Sequence, residues 1–519
     1  MSKERKHRRE ENARRQRIRE LNAPSARTLA YDVLERVDDT DGYANLLLPQ
    51  VLRAYKLPTA DKSFITDAVY GTLRWRMFLD AVIEAAHKKP AKTINTKLVN
   101  VLRLGAYQWL FMNVAEYAAV NETVIVARKR VGKQTTGFVN ALMHKIVAYD
   151  RRQWEVNVTS RIQKSPHTAA EDVKIQRLAV RYSHPKWIVR ELSEAWNAAG
   201  YSSNAIHGND IDIESVSAML AADNSAPAVT LCVRPSLASV EDVEKELDAI
   251  GARYHRGKLS PYTLRVTGVN PETISEVQSG TVGIEDEGSQ LAALALANAP
   301  IETDKNLESY TTQHTYREQW LDMCAGPGGK TALLAAIAQQ RGAQLNANEP
   351  HEHRCHLVED NLRAIDSTTL GEITGLDGRE FGTMKPETFD RILVDAPCSG
   401  LGALRRRPEA RWRKSREDIE ELVDIQRGLL DSAINALKSG GVVAYVTCSP
   451  ALAETREIVD SVLALHADVQ RVDVPNVLHG LNTGIPVPQE NAHKAPRDMQ
   501  LFEHIHDTDQ MFISILRKK

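Results

Sequence analysis

Leu321-Asp-Met-Cys-Ala-Gly-Pro-Gly-Gly-Lys-Thr331 decides how the second half of this 519-residue chain folds. A short apolar run, Trp320 to Met323, stops at a loop of Cys324, Ala325, Gly326, Pro327, Gly328, Gly329 and Lys330, and a helical pattern begins at Thr331. Glycines between a strand and a helix let the backbone approach a ligand closely at the helix N-terminus. Around this loop, strand-like and helical runs alternate. The strand candidates are 320–323, 343–347, 370–376, 391–394, 442–447 and 511–516, an alternation that predicts a doubly wound, Rossmann-like sheet. A P-loop ATPase is the rival reading, because Gly329-Lys-Thr331 ends like a Walker A motif. That motif needs glycine where Cys324 stands, and Pro327 removes a phosphate-cradling N–H.

Two further runs end in cysteine: Ile392-Leu-Val-Asp-Ala-Pro-Cys398 and Val442-Val-Ala-Tyr-Val-Thr-Cys448. Ligands of open α/β sheets bind beyond the carboxyl ends of the strands, so both thiols are candidates for one cleft. A single free cysteine more often packs as a small inert hydrophobe; two at strand ends, each followed by serine, weaken that reading. Glu349 lies 19 residues beyond Lys330, the spacing at which an acid meets ribose hydroxyls. A surface or helix-capping glutamate is its bland alternative. Asp377, before Gly378, is either a turn aspartate or an acceptor for a cofactor amine, and the sequence leaves this open. His353 and His356 share a helix face, but no second cluster completes a ligand set, so no metal is expected. Arg405, Arg406, Arg407 and Arg411 with Trp412 form a basic stretch carrying a stacking residue. It reads as a surface that holds a nucleic-acid strand, against a solvated basic loop.

Composition bounds the rest. A formal net charge of −2 predicts no polyanion partner from overall electrostatics, although residues 1–20 hold nine Lys or Arg. Five cysteines without a Cys-x-x-Cys pair argue against a disulfide framework and for a reducing compartment. With no secretory h-region and no apolar run of about 18 residues, a cytoplasmic protein without membrane contact is expected.

The expected organisation is a basic, disordered tail (1–22), an all-α domain (23–150), a connector (151–228), a small α+β module (229–299) and the catalytic α/β domain (300–519). The helical domain rests on apolar residues at helical spacing, such as Leu29, Val33, Leu34 and Val37. Arg27-Thr-Leu-Ala-Tyr-Asp-Val-Leu34, Val69-Tyr-Gly-Thr-Leu-Arg-Trp75, Leu104-Gly-Ala-Tyr-Gln-Trp-Leu110, Val120-Asn-Glu-Thr-Val124 and Gly137-Phe-Val-Asn-Ala-Leu-Met143 resemble, in order, the NusB-type RNA-binding domain.

The glycine loop, Asp395-Ala-Pro-Cys398-Ser-Gly, the stretch Arg405 to Trp412 and Thr447-Cys448-Ser449 resemble the RsmB-type RNA cytosine-5 methyltransferases, also called Sun or Fmu. Ile284-Glu-Asp-Glu-Gly-Ser-Gln290 resembles that family's pre-catalytic helix and Asp507 to Ile513 its last strand. Three features depart from it: Glu349 where aspartate is frequent, Gln510 where glycine is frequent, and a longer stretch at 300–317. The resemblance implies S-adenosyl-L-methionine as cofactor, held by residues 324–330, Glu349, Arg354, Asp377 and Asp395. It implies Cys448 as nucleophile and Cys398 as the residue that assists product release; the residues alone would not rank the two thiols. Asp395 is expected to meet the base at N3. The implied reaction is methylation of cytosine C5 in RNA, 16S ribosomal RNA first, by a monomer without metal. Transfer RNA as substrate, or a non-catalytic RNA-binding factor, are the alternatives.

Overall fold

Apolar stripes at helical spacing in the first third of the chain close on one another in a helical bundle. The computed structural model describes residues 24–40, 42–162, 169–201, 211–302, 316–481, 484–486 and 498–519. The expected basic tail and most of the 300–317 stretch lie outside them. Contacts divide the chain into two units, Met1–His184 with Arg407–Glu409, and Pro185–Arg406 with Ala410–Lys519.

In the first unit the helices Ala26–Thr40, Thr59–Arg74, Arg76–His87, Thr96–Phe111, Glu116–Arg130 and Thr136–Val147 surround one core. Leu29, Val33, Ile65, Val69, Leu102, Val126 and Ile146 are all fully or almost fully buried there, as their spacing predicts. The helix Arg151–Ser160, started by an Asp150–Gln153 capping box, adds Trp154 and Val158 to the same core. The stretch expected as a connector therefore falls in two parts, 151–184 with the bundle and 185–228 with the second unit. Its polar composition hid two anchoring side chains.

The second unit opens with a small antiparallel sheet of strands β1 (Val229–Val233), β2 (Arg253–Arg256), β3 (Thr263–Thr267) and β4 (Val282–Ile284), in the order β2-β3-β1-β4. The helix Val240–Ala249 covers it through Val243 and Leu247. The helix Glu287–Asn298 follows β4 directly, yet its apolar residues, Leu291 to Ala297, join the core of the next sheet.

That sheet contains β5 (Gln319–Asp322), β6 (Gln344–Asn348), β7 (Leu370–Thr374), β8 (Phe389–Asp395), β9 (Leu437–Thr447), β10 (Val469–Val472), β11 (Met499–Gln500) and β12 (Phe512–Lys518). Its order is β10-β12-β9-β8-β5-β6-β7, with β11 paired to β12. β9, β8, β5, β6 and β7 run parallel, and β12 is antiparallel to β9. Chain order reverses between β5 and β8, which makes the crevice beyond their carboxyl ends the place for a ligand. All six strands expected from the sequence are present; β10 and β11, short and weakly apolar, are additions. The helices Gly329–Arg341 and Arg416–Ala436 bury their apolar sides on opposite faces of the sheet. Among the described residues no helix is long and apolar enough to cross a membrane.

Candidate active site

Four strand ends deliver the expected residues to one crevice. The loop after β5 carries the glycines, the turn after β6 carries Glu349, β8 ends in Asp395, and Cys448 follows β9 directly. Gly328 takes a φ of 109° and caps the helix Gly329–Arg341, a conformation that side chains with a Cβ disfavour. Gly326 has a different constraint. A Cβ there would lie 2.1 Å from Glu349 Oε2, so only glycine lets the loop close on the carboxylate. The Gly326 N–H donates to Glu349 Oε2 at 3.1 Å, and the Arg354 guanidinium donates to the Gly326 carbonyl. Glu349 is 2% exposed, and its Oε1 also accepts from the His351 N–H at 3.0 Å. His351 Nδ1 also lies 3.0 Å from Oε1 and Arg354 Nη1 3.4 Å from Oε2. A carboxylate offers about four lone-pair sites, so a ribose hydroxyl would take the place of one of these partners. The glycine cradle and this acid fit an S-adenosyl-L-methionine nucleoside. Asp377 instead caps the turn Gly378–Glu380, accepting from the Arg379 N–H at 3.0 Å and pairing with its guanidinium at 2.6 Å. Those Arg379 bonds hold the Asp377 carboxyl below its ordinary range.

Lys330 Nζ donates to Asp395 Oδ2 at 2.8 Å. Burial works against this ammonium, but Asp395 and then Glu285 hold its pKa above the usual lysine range. Glu285, which sequence reasoning did not single out, is itself pushed up by burial. Cys324 is likewise a neutral thiol, raised first by burial and then by Asp322 and Asp395.

The two strand-end thiols meet. Cys398 Sγ and Cys448 Sγ lie 3.4 Å apart, neither is in a disulfide, and both are half-buried. Their loops are tied together behind them. Ser399 Oγ and Ser449 Oγ are 3.2 Å apart, and the Gly402 N–H donates to the Cys448 carbonyl at 2.9 Å. The buried Glu454 accepts from the Ser399 N–H at 2.7 Å and from Gln426 Nε2 at 3.1 Å. Neither Glu454 nor Gln426 stood out in the sequence; the only signal was a glutamate within the mostly apolar run Ala451-Leu-Ala-Glu454.

The arginine stretch behaves differently from expectation. Arg405 Nε meets Asp509 Oδ1 at 2.5 Å and its Nη2 meets Asp286 Oδ1 at 3.3 Å. Arg406 Nε pairs with Asp509 Oδ2 at 2.6 Å, and its Nη2 with Asp286. Arg411, 0% exposed, donates to Asn224 Oδ1 at 2.8 Å and to the Asp223 carbonyl at 3.3 Å. These three residues neutralise or satisfy buried partners, which corrects the strand-holding reading for them. Arg407 is exposed, with its guanidinium 5.8 Å from the Tyr43 ring centroid, and Trp412 is half-buried. Among the described residues no three His, Cys, Asp or Glu side chains form a metal-binding group.

Residues 310–517 match the family described as 16S rRNA methyltransferase RsmB/F, and residues 24–148 match the NusB family. The chain is 38% identical over 493 residues to a methyltransferase homologue of Mycobacterium tuberculosis, covering 95% of this chain and 96% of that one. It is 28% identical over 451 residues to the ribosomal RNA small subunit methyltransferase B of Proteus mirabilis, covering 86% and 92%. The crystal structure of PH0851 shares the fold at a TM-score of 0.70, with 20% identity, covering 96% of this chain and 99% of that one. This chain belongs to the 16S rRNA methyltransferase RsmB/F family, with a NusB-family region ahead of it, and is an S-adenosyl-L-methionine-dependent ribosomal RNA methyltransferase.

Proposed function

We propose that this protein methylates C5 of a cytosine in 16S ribosomal RNA, through a covalent bond between Cys448 Sγ and C6. The observation that carries this reading is the 3.4 Å approach of two thiols beside the Lys330–Asp395 pair. Cytosine C5 is a poor nucleophile. Addition of the Cys448 thiolate to C6 breaks the C5–C6 double bond and makes C5 the nucleophilic end of an enamine-like system. Bound S-adenosyl-L-methionine supplies an electrophilic methyl group. Residues 324–330, Glu349, Arg354, Asp377 and Asp395 are the residues assigned to hold it, and alignment of C5 with the methyl carbon is mainly a matter of positioning. Asp395 meets the N3 edge as electron density moves into the ring.

Release reverses the addition. The C5 proton passes to water at the cleft mouth, the electron pair of that bond restores the C5–C6 double bond, and the C6–S pair returns to Cys448. The Cys398 thiol donates a hydrogen bond to the departing sulfur. The target cytosine is flipped or single-stranded, since C6 is shielded inside a duplex. Arg407 and Trp412 remain the assigned RNA contacts from the basic stretch. A reducing cytoplasm keeps both sulfurs available as thiols.

Two variants test the assignment. Cys448→Ala should abolish methylation and leave no protein–RNA adduct on a denaturing gel; Cys398→Ala should accumulate that adduct. If neither traps RNA, the assigned roles fail. Bisulfite sequencing of RNA from cells with and without the gene tests the substrate. One 5-methylcytosine should disappear from 16S ribosomal RNA; a loss confined to transfer RNA would move the substrate there.

A further inference from the structure

Two sulfur atoms 3.4 Å apart do not both ionise at neutral pH, because like charges at that distance repel. One stays protonated and donates to the other, so the surrounding charges decide which sulfur attacks. On the Cys398 side stands Glu454, 0% exposed and in no salt bridge among the described residues. Its Oε1 accepts from the Ser399 N–H at 2.7 Å and from Gln426 Nε2 at 3.1 Å, and its Oε2 accepts from Ser399 Oγ. Gln426 Nε2 also donates to the Pro397 carbonyl at 2.9 Å. Both chain neighbours of Cys398 are therefore anchored to this carboxylate, one directly and one through Gln426. The Tyr445 hydroxyl fixes the backbone of Glu454 by donating to its carbonyl at 2.8 Å. On the Cys448 side stands a cation. Burial opposes the Lys330 ammonium, while Asp395, Glu285 and Cys448 favour it.

We propose that Glu454 is the positioning residue that tells the two sulfurs apart: its buried charge, tied to both neighbours of Cys398, keeps the shared proton on Cys398 and leaves Cys448 as the attacking thiolate. The proposal rests on the roles assigned above and explains how a nearly symmetric pair acquires them. No bond is made or broken by Glu454 itself; the proton stays on Cys398 during attack and is shared with Cys448 sulfur as that sulfur departs. The ionisable groups facing Cys398 are Cys448, Glu454 and Tyr445, with Asp395 at the entry to its loop. The hydrogen bond with Cys448, burial and the Glu454 charge all raise the Cys398 thiol, while the Gly400 N–H works weakly against them.

The test is the pH profile of Cys398 alkylation by iodoacetamide, read by mass spectrometry in full-length protein carrying Cys448→Ala. Adding Glu454→Gln should move the midpoint down by about one pH unit, making alkylation below the midpoint about tenfold faster. Glu454→Asp keeps the charge but draws it back by one methylene, so its midpoint should lie between the other two. It carries the test alone if Glu454→Gln does not fold. With both cysteines present, kcat should fall further for Gln than for Asp while the KM for RNA holds. A merely structural Glu454 would lower activity without moving the midpoint, and superimposed profiles overturn the proposal. Alkylation uses no RNA. A moved midpoint together with failed Cys398→Ala trapping overturns the roles of the preceding section and leaves the proton bias standing. Intact trapping with an unmoved midpoint overturns the proposal alone.

Discussion

At the scale of single residues, Asp322 shows what the end of β5 demands. Its side chain is buried, and burial lifts its pKa to about 7, against the pull of the Thr331 hydroxyl that donates to Oδ2 at 2.7 Å. A folded-state pKa raised above the unfolded value near 3.9 means that the native chain holds a proton the unfolded chain has released. Its contribution is complete below about pH 4 and is lost as pH rises through about 7. Asp322→Asn removes this dependence. The variant should therefore gain on the parent, between pH 4.5 and pH 8, by on the order of 2–4 kcal/mol in denaturant unfolding of the second unit. A stability difference that stays constant with pH would refute the buried-acid account. The residues that could be read in advance were those whose chemistry is local to a motif: the glycines, Lys330 and the two cysteines. Glu454 could not be, because its meaning comes from Ser399 and Gln426, which only the fold brings beside it.

At the scale of elements, the large sheet was legible because its strands are near-continuous apolar runs separated by helices. β10 and β11 were not, since they are four and two residues long and owe their pairing to β12. Within the stretch from Arg405 to Trp412, Arg405 and Arg406 were misread for a different reason. Four arginines close together look like a cationic surface until their partners are known, and the partners of Arg405 and Arg406, Asp286 and Asp509, are more than a hundred residues away. Asp509 is pushed up by burial while Arg405 and Arg406 pull it down. Arg405→Met should thus leave buried carboxylates short of a counter-charge and cost about 3–5 kcal/mol. Urea unfolding of the full chain would measure this. RNA affinity of the remaining folded fraction should stay within about twofold, because a 4% exposed side chain offers little to a phosphate. Near-native stability combined with a large loss of RNA affinity would restore Arg405 to the binding surface.

At the scale of the whole molecule, separate cores in the two units imply that unfolding is not a single two-state event. The helical unit has its own apolar centre, and the unit that carries the thiols has the sheet cores and the glycine cradle. A ligand stabilises whatever native structure binds it, by RT ln(1 + [L]/Kd). S-adenosyl-L-methionine at a hundred times its Kd should therefore stabilise the second unit by about 2.7 kcal/mol. Its calorimetric transition should rise in temperature accordingly. Gly326→Ala places a methyl where Glu349 Oε2 now sits, 2.1 Å from the ideal Cβ position, so either the loop opens or the carboxylate leaves. The cofactor-induced rise should then disappear, while the bundle transition, whose core lacks any residue of the loop, stays at its own temperature. A rise that survives Gly326→Ala would mean that the cofactor does not bind against this loop, and the crevice between β5 and β8 would lose its assignment as the methyl-donor site.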